Sequence, residues 1–380
     1  MSRLNIPGIR DRARLRGAII TILIGTLLGS GGCSAPPAES GASPERSPVG
    51  LVFPPPPEQA RFVFERTITG SADIVELDRD TRWRQLLTGE VGTTEAMAKP
   101  FDVEACQGRI YISDTVRRSV LVFDVPHGAF FEIGKSDPGL LLKPLGMAVD
   151  DDCNLYVVDG TQRRVVVYDQ AGRYVTAFGG TEWFDRPSHV EVDPDGTRGY
   201  VVDTGGVGSE RHMVRVFDIR SGTHLLDIGK RGAGPGQLNL ARDIAFGPDG
   251  RLYVVDGGNF RVQIFSPDGQ YLGSIGSIGV TRGQFSRPKG IDTDPDGNIY
   301  VTDSAFGNFQ IFSPDGELLL FIGTRSESLE PAKYMLPAGI AVDEDGRVYM
   351  VDQFFRKVDV YRPASLASDQ GYLGVQARNR

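Results

Sequence analysis

From Pro100 onward the chain repeats itself, and this repetition restricts its fold more than its composition does. One unit returns six times: "FDVEACQGRIYISD", "LGMAVDDDCNLYVVD", "SHVEVDPDGTRGYVVD", "RDIAFGPDGRLYVVD", "KGIDTDPDGNIYVTD" and "AGIAVDEDGRVYMVD". Each ends in an aspartate, at Asp114, Asp159, Asp203, Asp256, Asp303 and Asp352. Most continue into an alternating run such as "RVVVYDQAG" or "RVQIFSPDG", then an apolar stretch closing on glycine, as in "QYLGSIG". That is three or four short strands per unit, separated by Asp/Gly turns. One small sheet cannot cover both of its own faces, so neighbouring units must do so, and a repeat of about 45 residues built this way is a propeller blade. The sequence predicts an all-β fold, a six-bladed β-propeller with four-stranded antiparallel blades.

The sixth unit stops at "KVDVYRP" without an outer strand, while "RFVFERTI", Arg61 to Ile68, is strand-like and has no blade of its own. This N-terminal strand is expected to close the ring. Composition agrees with a turn-rich β protein, since 48 of 380 residues are glycine and 40% are apolar. A net charge of -8, with no basic stripe in the body of the chain, excludes a nucleic-acid backbone as partner, because that contact depends on clustered Lys and Arg.

The N-terminus reads differently. Arginines precede an apolar run from Ala18 to Leu28, shorter than the ~20 residues a membrane-spanning helix needs and suited to a secretory signal. Ser30, Gly31 and Gly32 lead into Cys33 and resemble a bacterial lipobox, although Ser30 stands where that motif usually has a leucine. The resemblance implies that Cys33 is lipidated and that the protein sits in the bacterial envelope, facing the periplasm or the cell surface, with the lipid as its only membrane contact. The expected organisation is a signal over 1–33, a Pro/Ser-rich tether over 34–60, the propeller over 61–365 and a tail over 366–380.

"DTDPDGNIYVTD", Asp292 to Asp303, has the spacing of an EF-hand calcium loop, with acids at places one, three, five and twelve. Its context is wrong. The flanking residues alternate as strands, the Asp/Gly turn recurs at Asp193 to Gly196 and Asp343 to Gly346, and two residues apart in a strand is about 6.6 Å, too wide to wrap one ion. Most of the strand-end aspartates are followed by an arginine, Arg117 after Asp114, Arg164 after Asp159, Arg261 after Asp256 and Arg356 after Asp352, which suggests a charge-assisted bond closing the turn rather than a ring of catalytic acids. "GKRGAGPGQ" lacks the Gly-Lys-Ser/Thr ending of a phosphate loop and reads as a connection between blades three and four. His127, His189, His212 and His224 occupy unrelated places in their repeats, so no three-histidine zinc site is suggested.

"GAGPGQLNLARDIAFGPDGRLYVVDGGNFRVQIFSPDGQYLGSIG" resembles the NHL-repeat family of six-bladed propellers, over roughly Phe101 to Tyr361. Blades four and five match best; blade one has the diverged turn "EACQG", and blade four has Ala241 where the others have proline. Some propellers of this type are amidating lyases built on channel histidines, and related ones are metal-dependent lactonases. Neither ligand set is recognisable in this chain.

Equivalent places on the innermost strands are Glu104, Ala148, Glu191, Ala245, Asp292 and Ala341, with carboxylates in blades one, three and five. Glu104, Glu191 and Asp292 are therefore expected to face the channel and either bind a hard cation such as calcium or pair with basic groups; otherwise they turn sideways between blades onto backbone amides or arginines. The mouth nearby would be lined by Asp102, His189, Arg242, Asp243 and Lys289, offering a protein or small-molecule ligand a docking face. Cys106 and Cys153 lie in equivalent turns of adjacent blades and are expected to form a disulfide in an exported protein. The leading functional reading is a monomeric, non-enzymatic binding or scaffold module. The alternative is a metal-dependent enzyme, lyase or lactonase-like, that uses the channel.

Overall fold

The computed structural model describes residues 50–75 and 95–378. The signal and lipobox, Cys33 included, lie outside the described residues. No helix among those described is long and apolar enough to cross a membrane.

Each repeat forms one antiparallel sheet. In blade one the strands are Pro100–Cys106, Arg109–Asp114, Ser119–Asp124 and Ala129–Ile133, paired in sequence order. The innermost strands of the later blades are Pro144–Val149, Pro187–Val192, Ile244–Phe246, Pro288–Thr293 and Pro337–Val342. Each packs beside the next, and the sixth packs against the first, so the six blades make a ring around a central channel. Six apolar clusters occupy the six junctions between blades. The cluster between blades two and three, for example, joins Val158 and Val165 to Val190 and Val201. This is why a single repeat could not fold alone: its core is the space it shares with its neighbours.

The sixth sheet takes its outer strands from the other end of the chain. Phe62–Ile68 pairs antiparallel with Lys357–Pro363, from Phe62 opposite Pro363 to Ile68 opposite Val358, and Val52–Phe53 pairs outside it. The C-terminal segment returns over this blade and ends in the helix Gly371–Arg378.

The turns explain the acidic repeats. Asp294 Oδ1 accepts the amides of Asp296 and Asn298, while Oδ2 takes the Tyr300 hydroxyl at 2.9 Å. Asp150 with Tyr156 and Asp343 with Tyr349 repeat the arrangement. An EF-hand would need these oxygens to point at an ion; here they brace a hairpin turn.

The strand-end aspartates also work through the backbone, and this corrects the arginine pairing expected from sequence. Asp114 accepts amides of Ala98, Lys99, Val116 and Arg117, and Asp352 those of Met335, Leu336, Phe354 and Phe355. Asp303 does the same with Ser286, Arg287, Ala305 and Phe306. A carboxylate with four amides around it is already satisfied, so Arg117 turns to Glu95 and Glu132, and only Asp256 bonds its arginine, Arg261, at 3.0 Å.

Cys106 and Cys153 are joined by a disulfide, with Cα atoms 5.8 Å apart and a separation of 47 positions in sequence. The bond ties blade one to blade two. Cys106→Ser with Cys153→Ser is expected to lower stability by roughly 2–4 kcal/mol, the usual effect of opening such a loop. Equal urea midpoints for the variant and the oxidised parent would count against this.

Candidate functional site

The first residues of the inner strands build the site. Register shifts follow Pro100, Pro144, Pro187, Pro288 and Pro337, where pairing with the second strand slips before becoming regular. A bulge of this kind re-aims the side chains beside it. Two residues beyond the proline, or its equivalent Ala241, the six blades carry Asp102, Gly146, His189, Asp243, Gly290 and Gly339. Three are large and three are glycine, and at least two of the glycines have a steric reason. A Cβ on Gly146 would stand 2.2 Å from the His189 ring, and one on Gly339 would stand 2.0 Å from Asp102 Oδ1. The glycines leave the space that the histidine and the aspartate occupy.

His189 is buried and clamped from both sides. Its Nε2 lies 2.9 Å from Asp102 Oδ2. Its Nδ1 lies 2.9 Å from Asp243 Oδ1, at ion-pair distance but without hydrogen-bond alignment. Burial pulls the imidazole towards its neutral form, yet Asp243 and Asp102 outweigh it and hold its pKa well above the ordinary value. His189 is therefore an imidazolium between two carboxylates. Those carboxylates are anchored in turn: Asp102 Oδ2 accepts the Met147 amide at 2.8 Å, and Asp243 Oδ2 accepts that of Ile291 at 3.0 Å. Each aspartate thus bonds the inner strand of the next blade.

Above this layer lies a cavity of about 230 Å³, bordered by Asp102, His189, Arg242, Asp243 and Lys289 together with Phe101, Ser188 and Gln353. The five residues singled out from sequence come together here from four blades. Larger cavities, of about 420 and 550 Å³, lie near blades five and six; the first is lined by Arg61 with Asp294, Asp296, Glu344 and Asp345 and so is mainly acidic, and neither gathers two basic side chains over a buried histidine. Around the channel mouth the charge is positive. Lys289, half-buried, has its pKa pulled down to about 8 by burial and then by Arg242 and Arg287. Arg242, exposed at the rim, is lowered by loss of hydration and by Arg186 and Arg287.

Below the histidine stand Glu104, Glu191 and Asp292. All three are deep in the ring yet keep some accessible surface, as side chains lining a channel do. Glu104 is raised well above its usual pKa by burial, then by Asp102, Asp292 and Glu191. Burial also pushes Glu191 up to about 8 and Asp292 up to about 7. Their bonding is uneven. Asp292 spends both oxygens on backbone, accepting the amides of Thr293 at 2.7 Å and Val342 at 2.6 Å. Glu191 Oε1 accepts the Val192 amide at 2.9 Å. Asp292 thus turns towards the next blade, while Glu104 belongs to a tighter group: Asp102, Glu104 and His189 can each bring a ligand atom within 4.8 Å of the others.

Two features of the site escape a reading of the sequence by position. Arg186 and Arg287 precede their prolines and so lie outside the strand starts, yet both act on Arg242. Listing pre-proline residues around the ring, Lys99, Lys143, Arg186 and Arg287, would have shown the positive rim.

Residues 238–265 and 285–312, in blades four and five, match the NHL repeat. The chain carries NHL repeats. NHL repeat-containing protein 3 of Mus musculus is 34% identical over 91 residues, which are 24% of this chain and 25% of that protein. The match thus spans about a quarter of the relative's length. Among solved structures, a Bacteroides thetaiotaomicron protein of unknown function aligns with a TM-score of 0.59 and 19% identity, covering 80% of this chain and 76% of its own. The gluconolactonase XC5397 of Xanthomonas campestris aligns at 0.53 and 16%, covering 79% and 98%. At these identities the likeness is one of fold, and this propeller's chemistry must be argued from its own residues.

Proposed function

We propose that this NHL propeller is a non-enzymatic binding module, held at a bacterial envelope by a lipid on Cys33, whose ligand docks in the channel mouth. The observation that carries the reading is the convergence of Asp102, His189, Arg242, Asp243 and Lys289 on one cavity. The one histidine there has both nitrogens against carboxylates, so it has no free lone pair with which to act as a base. A thermal-shift screen of small molecules tests the site. Gln353→Trp, at the rim, is expected to abolish the shift given by any true ligand while melting like the parent; retention of the shift would place the ligand elsewhere. For the anchor, Cys33→Ala is expected to leave the protein uncleaved or soluble. Wild type recovered wholly in the soluble fraction would end that part of the proposal.

The close approach of Asp102, Glu104 and His189 favours a second reading, a metal-dependent channel enzyme. A cation there would have to displace the proton that His189 shares with its aspartates. Under the leading reading the purified protein holds no stoichiometric divalent metal, and calcium titration leaves its melting temperature unchanged. One bound equivalent, released by chelator with a fall in Tm, would favour the second.

A further inference from the structure

We infer that the mouth takes a small anion, its carboxylate or phosphate held between Arg242 and Lys289 within the field of Arg186 and Arg287. The inference rests on the mouth being the ligand site and names the chemistry of what binds there.

The argument begins with missing partners. No ion pair among the described residues involves Arg186, Arg242, Arg287 or Lys289. Yet the chain is rich in acids, with 49 Asp and Glu against 41 Lys and Arg. Four unpaired cations gathered at one opening of an acidic protein repel one another, and Lys289, held down first by burial, is lowered further by Arg242 and Arg287. The nearest carboxylates are already committed: Asp102 and Asp243 to His189 and to backbone amides, and Asp352 to four amides. An anion from solution is what the cluster lacks.

Size and shape narrow the class. A cavity of about 230 Å³ falls below the ~300–1,000 Å³ of sites for drug-sized ligands, so the anion is small. Arg242 offers a planar fork and Lys289 a point charge, a combination suited to carboxylate or phosphate oxygens. Beneath them lies the Asp102–His189–Asp243 layer, whose net negative charge keeps the anion at the outer level. The positive rim on a negative molecule would also draw anions towards this opening rather than to the rest of the surface.

The test measures melting temperature and heat of binding with inorganic phosphate, citrate and, as a neutral control, glucose, for the wild type, Arg242→Met, Lys289→Met and Lys289→Arg. Phosphate stabilises many proteins by exclusion from their surfaces, so the comparison between variants decides. Phosphate or citrate is expected to bind the wild type and Lys289→Arg, and to bind each methionine variant roughly ten- to a hundredfold more weakly, the usual effect of losing a bond to a charged group. Lys289→Met without ligand should melt no lower than the parent, because it removes a mutually repelled charge. Equal responses in wild type and methionine variants would overturn the inference. Glucose binding without anion binding would overturn it and leave the mouth as a ligand site. Binding of none of the three probes, together with no response to Gln353→Trp in the wider screen, would remove both.

Discussion

A chain beginning at Thr69 is expected to lose most of its stability, while one beginning at Gly50 melts like the full protein. The segment between them supplies the fourth strand of blade six, and its side chains are not replaceable from elsewhere. Phe62 and Ile68 are buried, Phe64 packs edge-on to Tyr361 with ring centres 5.9 Å apart, and the Thr67 hydroxyl donates to Asp359 at 2.7 Å. Glu65 takes the Nε of Arg347 at 2.9 Å, and Arg347 is fully buried. Burial of each large apolar side chain is worth about 1.5–3 kcal/mol, so the strand contributes on the order of 5 kcal/mol before the arginine's lost partner is counted. Against a whole-protein stability of about 5–15 kcal/mol this is enough to unfold the ring or leave it molten. Calorimetry of the two truncations checks it: equal melting temperatures would show that the N-terminal strand does not hold the ring together.

What could be read in advance follows from the kind of pattern each feature leaves. Blades are legible because every repeat states its own strands and turns, and six statements of one pattern correct one another where blade one or blade four diverges. Ring positions are legible for the same reason: knowing where one inner strand starts fixes the others, which is how residues as distant in sequence as Asp102 and Lys289 can be placed on one opening. Partners are not. Whether Asp102 meets Met147 and His189, or turns to an arginine, depends on a bulge and on two glycines in neighbouring blades, and no repeat encodes its neighbour's side chains. The strand-end aspartates show the same limit. Sequence displays an arginine after most of them but not the backbone amides, which every residue except proline carries and which here take the carboxylate first.

His189→Leu is expected to cost roughly 3–5 kcal/mol at neutral pH, because it strands two buried carboxylates without the cation between them. The pH dependence separates this cause from a packing defect. A base whose folded pKa is raised gives its full stabilisation below its unfolded pKa and loses it as pH climbs through the folded one, so the clamp on His189 weakens only on the alkaline side. The channel acids act in the same direction. Glu191, pushed up to about 8, and Asp292, pushed up to about 7, bind protons more tightly folded than unfolded, so stability falls as pH rises from their ordinary values towards those figures. Glu132, lowered to about 2 against burial by Arg117 and Ser119, opposes the trend only below the usual carboxylate range. Between about pH 5 and 8 the signs therefore agree, and the wild type should melt higher at the acid end. Glu191→Gln should flatten the slope. In His189→Leu the slope should steepen, since Asp102 and Asp243 can then be relieved only by protonation, and acidification should recover a good part of the lost stability. A leucine that merely packs badly would lower Tm equally at both ends, and a wild type more stable at pH 8 than at pH 5 would show that the channel acids are not held protonated at all.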